Sequence, residues 1–67
     1  MKVYFGTNND MELLKEVETE GDAFDFVTEH LRERGVKTYY TRWWKDPNGT
    51  TTIDYGSWSM FYFIKEN

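Results

Sequence analysis

The stretch Val36-Lys37-Thr38-Tyr39-Tyr40-Thr41-Arg42-Trp43-Trp44-Lys45-Asp46-Pro47-Asn48-Gly49-Thr50-Thr51-Thr52-Ile53-Asp54-Tyr55 decides how this chain folds. The Val, Thr, Tyr, Trp and Ile residues on either side of Asp46-Pro47-Asn48-Gly49 favour extended backbone. Pro47 presets the first central position of a type I turn and Asn48 fits the second. Gly49 takes the left-handed position that forms a G1 bulge. A three-residue loop of this kind sets Asp46 opposite Thr50. Counting outward, Trp44 faces Thr52, Trp43 faces Ile53 and Arg42 faces Asp54. Further on, Gly56-Ser57 suits a two-residue type II′ turn, which sets Tyr55 against Trp58 and Ile53 against Met60. The last strand is then expected from Trp58 to Lys65.

Toward the N-terminus, Glu20-Gly21-Asp22 reads as a helix start with Asp22 as the N-cap, and Asp25 favours the positive end of the helix dipole. The helix is expected from Ala23 to Arg34, with Arg32 and Arg34 in its last turn and Gly35 in the left-handed C′ position. Phe24, Val27 and Leu31 form its buried stripe, with Ala23 and His30 at the edge. Lys2-Val3-Tyr4-Phe5-Gly6 reads as a strand, and Thr7-Asn8-Asn9-Asp10 as a turn. Met11 to Glu18 is compatible with helix or strand. The nearby helix start favours a strand paired with the first. These elements predict one α+β domain over residues 1–67, ordered ββαβββ, an antiparallel sheet with one helix packed on one face.

Alternation along the strands sorts their side chains into two faces. One carries Tyr39, Trp43, Thr51, Ile53, Tyr55, Trp58, Met60, Tyr62 and Ile64, and as the more apolar it is expected under the helix. The other carries Tyr40, Arg42, Trp44, Thr52, Asp54, Phe61 and Phe63 and is left open. A one-residue slip would exchange them. An open face with several large aromatics and an arginine has the composition of a binding surface. Tyr40, Arg42, Trp44, Phe61 and Phe63 are therefore the candidate partner-binding residues. On this reading Trp43→Ala unfolds the domain, whereas Trp44→Ala abolishes association and leaves the fold.

Composition bounds the chemistry. The 67 residues include three Trp, five Tyr and five Phe, one His and no Cys. Disulfides and thiolate metal sites are excluded, and one His30 makes no histidine cage, so no metal or cofactor is expected. Aromatic mass stands in for the staples that small domains commonly need. No stretch is apolar enough to span a membrane and no signal-peptide pattern follows Met1-Lys2, so a cytoplasmic location is expected. Asn48-Gly49-Thr50 matches a glycosylation acceptor, but without a secretory signal it reads as part of the turn. No EF-hand loop, Gly-rich phosphate loop, nucleophile elbow or metal signature is present, which points away from an enzyme. His30 lacks a companion for general-base work and reads as a hydrogen-bonded or solvated helix-edge histidine. The Arg42–Asp54 pair reads first as a cross-strand ion pair and second as a recognition arginine oriented by its carboxylate.

The charge of −4 is uneven: residues 1–35 hold nine acidic against four basic side chains, and residues 36–67 hold three against four. Glu16, Glu18, Glu20, Asp22, Asp25, Glu29 and Glu33 could imitate a phosphate track, which makes an acidic inhibitor of a DNA- or RNA-binding protein the second functional reading. A binder of single-stranded nucleic acid through Arg42, Trp43, Trp44 and Lys45 is the third. It is disfavoured by the acidity and by the opposite orientation of the two tryptophans. The leading reading is a protein partner, or a second copy of the chain, on the open sheet face.

The segment from Thr50 to Ile64, through Ile53-Asp54-Tyr55-Gly56-Ser57 into the aromatic run Trp58-Ser59-Met60-Phe61-Tyr62-Phe63, resembles the ending of small uncharacterised proteins of phages, prophages and plasmids of Gram-positive bacteria. The resemblance covers the C-terminal half only and carries over no catalytic residue. It implies accessory phage biology, a small intracellular protein acting on a host or phage protein.

Overall fold

The computed structural model describes residues 1–36, 41–57 and 59–66. Its elements are β1 (Lys2–Gly6), β2 (Met11–Glu16), α1 (Glu20–Glu33), β3 (Arg42–Lys45), β4 (Thr51–Asp54) and β5 (Phe61–Lys65). The strands form one five-stranded antiparallel sheet in the order β2-β1-β5-β4-β3. The fold is the expected α+β arrangement, ββαβββ, with α1 on one face. Met11–Glu16 is a strand, as favoured from the sequence.

The 46–50 turn has the expected geometry. Gly49 N–H donates to Asp46 O at 2.9 Å and Asp46 N–H to Thr50 O at 2.8 Å. Gly49 sits at φ +87°, where a Cβ is disfavoured. The Asn48 side chain accepts from Thr50 N–H at 3.0 Å, so it works in the turn. The register beyond is the one counted from the turn: Trp44 with Thr52, Trp43 with Ile53 and Arg42 with Asp54.

The β4–β5 register differs from expectation. Ile53 pairs with Tyr62 instead of Met60, and β5 begins at Phe61 instead of Trp58. The link is therefore longer than the Gly56-Ser57 hairpin. Here Ser57 is recruited differently, its hydroxyl accepting from Met60 N–H at 3.3 Å. The shift is by two residues, so each side chain keeps its face. β3 is shorter than Val36 to Lys45. Tyr39, Tyr40 and Trp58 lie outside the described residues.

α1 begins earlier than the sequence reading placed it. Thr19 is the N-cap, its hydroxyl accepting from Asp22 N–H at 3.1 Å. Asp22 is thus the third helical residue, in a Thr-x-x-acid spacing that resembles a capping box. The C-terminus closes as a Schellman motif: Gly35 N–H donates to Arg32 O at 3.0 Å and Val36 N–H to Leu31 O at 3.2 Å. Gly35 takes φ +69°, as expected of C′.

The core lies between α1 and one sheet face, built from Val3, Ala23, Val27, Leu31, Ile53, Tyr55, Tyr62 and Ile64. Ala23, not Phe24, belongs to the buried helical stripe with Val27 and Leu31. Phe24 lies at the rim, edge-on to Trp43 with ring centroids 5.5 Å apart. Trp43 is on the helix side but remains 55% exposed, because β3 is an edge strand beyond the reach of the helix stripe. The expectation that Trp43→Ala unfolds the domain loses its premise.

Two substitutions test the local anchors. Gly49→Ala places a Cβ in the left-handed region and should destabilise by about 1–2 kcal/mol. Thr19→Ala should lose about 1 kcal/mol with the cap. Urea midpoints check both, and an unchanged midpoint for Gly49→Ala would contradict the turn geometry.

Candidate functional site

The sheet face turned away from α1 is assembled from all five strands. Pairing aligns Leu13 with Tyr4, Tyr4 with Phe63, Phe63 with Thr52, and Thr52 with Trp44. These five side chains make a row that spans four inter-strand spacings, roughly 19 Å at ~4.8 Å each. Leu13 and Trp44, on the two edge strands, are 47% and 41% exposed. Phe63, on the central strand, is flanked by Tyr4 and Thr52 and is only 2% exposed. The face is therefore less open at its centre than the sequence implies. Phe63 forms part of the lining of a cleft with Met11 and Lys65, bordered by Asn8 of one turn and Asp46, Asn48 and Thr50 of another. Phe61 is half-buried, its ring 6.2 Å from that of Phe63.

Of the sequence candidates, Arg42, Trp44, Phe61 and Phe63 share this face, and Tyr40 lies outside the described residues. Tyr4, Leu13 and Met11 were missed. Period-two alternation in β1 places Tyr4 opposite Val3 and Phe5. What a linear reading lacked is the pairing of β1 with β5, which brings strands from both ends of the chain together. A bulge in the β1–β2 ladder between Val3 and Tyr4 further decides which leucine of Leu13-Leu14 faces which way. Leu14 packs on the core and Leu13 is exposed. Lys65 Nζ lies 5.3 Å from the Tyr4 ring centroid, adding a cation beside the row.

Arg42 Nη2 donates to Asp54 Oδ2 at 3.0 Å, and Gly56 N–H donates to Asp54 Oδ1 at 2.9 Å. The Asp54 side chain is nearly buried while that of Arg42 is mostly exposed. The Gly56 amide and the Arg42 guanidinium together hold the Asp54 carboxyl below its ordinary pKa, outweighing its desolvation. This is the cross-strand ion pair expected from the sequence, with the added task of holding Gly56.

His30 lies at the helix edge with Nδ1 2.6 Å from the Tyr62 hydroxyl, among the rings of Phe5, Phe26 and Tyr62. Tyr62 is fully buried. Burial raises its phenol pKa, with Arg34 opposing, so it stays protonated at neutral pH. The pair ties α1 to the central strand on the core side, away from the aromatic row.

A second surface groups part of the acidic run. Glu16, Glu18, Asp22, Asp25 and Glu29 line one shallow cleft with Lys15, Val17 and Phe26. Glu20 instead pairs with Lys45 at 3.4 Å, and Glu29 also pairs with Arg32 at 3.0 Å. Glu33 is not part of the cleft lining. No helix among the described residues is long and apolar enough to cross a membrane. No family model, curated protein or solved structure matches this chain.

The Asp54 linkage has a definite sign. Because the folded state favours the carboxylate, its contribution is present above the unfolded pKa of about 3.9 and lost as pH falls through the lower folded value. Asp54→Asn should therefore lower stability at neutral pH and flatten the acid limb of the stability curve. Denaturation midpoints from neutral to strongly acidic pH check this, and an acid limb identical to wild type would refute the assignment.

Proposed function

We propose that this protein is a non-enzymatic protein-binding module of the phage or prophage accessory kind, which takes its partner on the sheet face turned away from α1. The observation that carries this reading is the row Leu13–Tyr4–Phe63–Thr52–Trp44, with exposed apolar side chains at both ends and a cleft at Phe63. Exposed apolar side chains gathered with an arginine on one open face have the composition of a binding surface. Trp44, Tyr4 and Arg42 are of the residue types that concentrate binding energy. The acidic net charge and the split of Trp43 and Trp44 between two faces work against a single-strand nucleic-acid platform. The resemblance of residues 50–64 to phage and prophage proteins supports an intracellular host or phage protein as partner.

A second reading has its own observation. The carboxylates of Glu16, Glu18, Asp22, Asp25 and Glu29 border one cleft. A surface of that sign suits a basic nucleic-acid-binding protein, and its binding would weaken steeply with salt.

Immobilised protein and a lysate of the source cells separate the two readings. The leading reading expects a captured protein that survives raised salt, is lost with Leu13→Ser or Trp44→Ala, and is retained when Asp22, Asp25 and Glu29 become amides. Loss with the amide variants and with salt, but not with Leu13→Ser, would replace the leading reading with the second.

A further inference from the structure

The two edges of the sheet are built differently. β2 carries the devices that keep an edge from pairing: a bulge in its ladder with β1, and exposed Glu12, Lys15 and Glu16. β3 has neither a bulge nor a proline between Arg42 and Lys45, and all four of its residues are exposed. Its charges are already engaged within the domain, Arg42 with Asp54 at 3.0 Å and Lys45 with Glu20 at 3.4 Å. What remains at this edge is Trp43 and Trp44, 55% and 41% exposed.

The turn determines which backbone groups β3 turns outward. Asp46 N–H bonds to Thr50 O, so the 46:50 pair is a hydrogen-bonded one. Bonded and non-bonded pairs alternate in an antiparallel ladder. Trp44 and Arg42 therefore direct their N–H and C=O groups toward β4, and Trp43 and Lys45 direct theirs away from it.

We propose that two copies of this chain pair antiparallel through β3, about a two-fold axis at Trp44 and perpendicular to the sheet. In this register Trp43 exchanges both backbone hydrogen bonds with Lys45 of the other copy, and Lys45 does so with Trp43. The four outward groups of each β3 are thereby all used. Trp44 meets its own counterpart at a non-bonded position, where side chains approach most closely. Arg42 comes opposite Asp46 of the other copy, on the same face, with opposite charge. On the helix side, Lys45 lies opposite Trp43. Moving the axis along the strand shows why this register wins on charge. An axis at Lys45 sets Lys45 against Lys45, an axis at Arg42 sets Arg42 against Arg42, and an axis at Trp43 leaves Asp46 opposite no cation of β3. A perpendicular two-fold axis keeps both aromatic rows on one side, so the pair presents a doubled, bivalent face. The pairing shares Trp44 with the proposed partner face, but its hydrogen bonds come from the β3 backbone and form whether or not that face takes a partner.

Light scattering across a wide concentration range, with cysteine cross-linking, tests it. Wild type should double its mass as concentration rises. Lys45→Pro removes one outward N–H, a loss an edge strand tolerates, and should stay monomeric with an unchanged far-ultraviolet spectrum. The chain has no cysteine, so Trp44→Cys introduces a single thiol. Non-bonded antiparallel pairs hold their Cα atoms about 4.5 Å apart, within disulfide range. Trp44→Cys should therefore oxidise to a covalent dimer, and Leu13→Cys, on the guarded edge, should not. Should Lys45→Pro fail to fold, the cross-links decide. A wild type monomeric at every concentration, a folded Lys45→Pro that still dimerises, or cross-linking by Leu13→Cys as complete as by Trp44→Cys would overturn the proposal. Cross-linking by Trp43→Cys in place of Trp44→Cys would overturn the register. Leu13→Ser should keep the doubled mass even where it abolishes partner capture, so the two ideas fail separately.

Discussion

The two hydrogen bonds that close the 46–50 turn set the geometry of the β3 side of the molecule. Gly49 N–H to Asp46 O and Asp46 N–H to Thr50 O hold one residue, Gly49, in a left-handed conformation. Their consequence is a parity. With Asp46 opposite Thr50, Trp43 must turn toward the helix side and Trp44 away from it. A turn one residue shorter or longer would exchange the two indoles, and with them Arg42 and Lys45. Which indole faces the helix side and which faces away from it is thus decided by backbone geometry several residues away.

The central strand supplies the second constraint. β5 lies between β1 and β4, so its side chains have neighbours on both sides. Tyr62 and Ile64 enter the core under α1, while Phe63 is buried on the opposite face without joining that core. A domain without cysteine thus gains a second apolar contact region from its aromatics, as small domains require. Tyr62 contributes most to the first region. It is fully buried and hydrogen-bonded to the half-buried His30, which gives helix and sheet a polar contact at the edge of the core. The polar side chains buried among the described residues all have partners.

Local chemistry was readable wherever one residue type carries a strong backbone preference. Pro47-Asn48-Gly49 gave the turn and register, and Gly35 the helix end. Thr19 was passed over because Asp22, equally able to cap, stands three residues on with a glycine before it. The two positions belong to one motif, and only the hydrogen bond from Asp22 N–H to Thr19 shows which is the cap. Gly56-Ser57 misled in a similar way. Its residue types suit a tight turn, but pairing Ile53 with Tyr62 rather than Met60 sets two buried core side chains against each other. The proposed binding face was half legible. Arg42, Trp44, Phe61 and Phe63 followed from alternation within the C-terminal half. Tyr4 and Leu13 depended on the contact between β1 and β5, which no local pattern encodes, and the burial of Phe63 followed from the same contact.

The register of β3 separates Trp43 and Trp44 onto opposite faces and leaves Trp44 on the proposed binding surface. Proton nuclear Overhauser spectra of the two indoles test it most directly. The account predicts contacts from the Trp43 ring to the Phe24 ring on α1, and contacts from Trp44 to the sheet face around Thr52 with none to the helix. Contacts between Trp44 and Phe24, with Trp43 free of the helix, would contradict it and exchange the two faces.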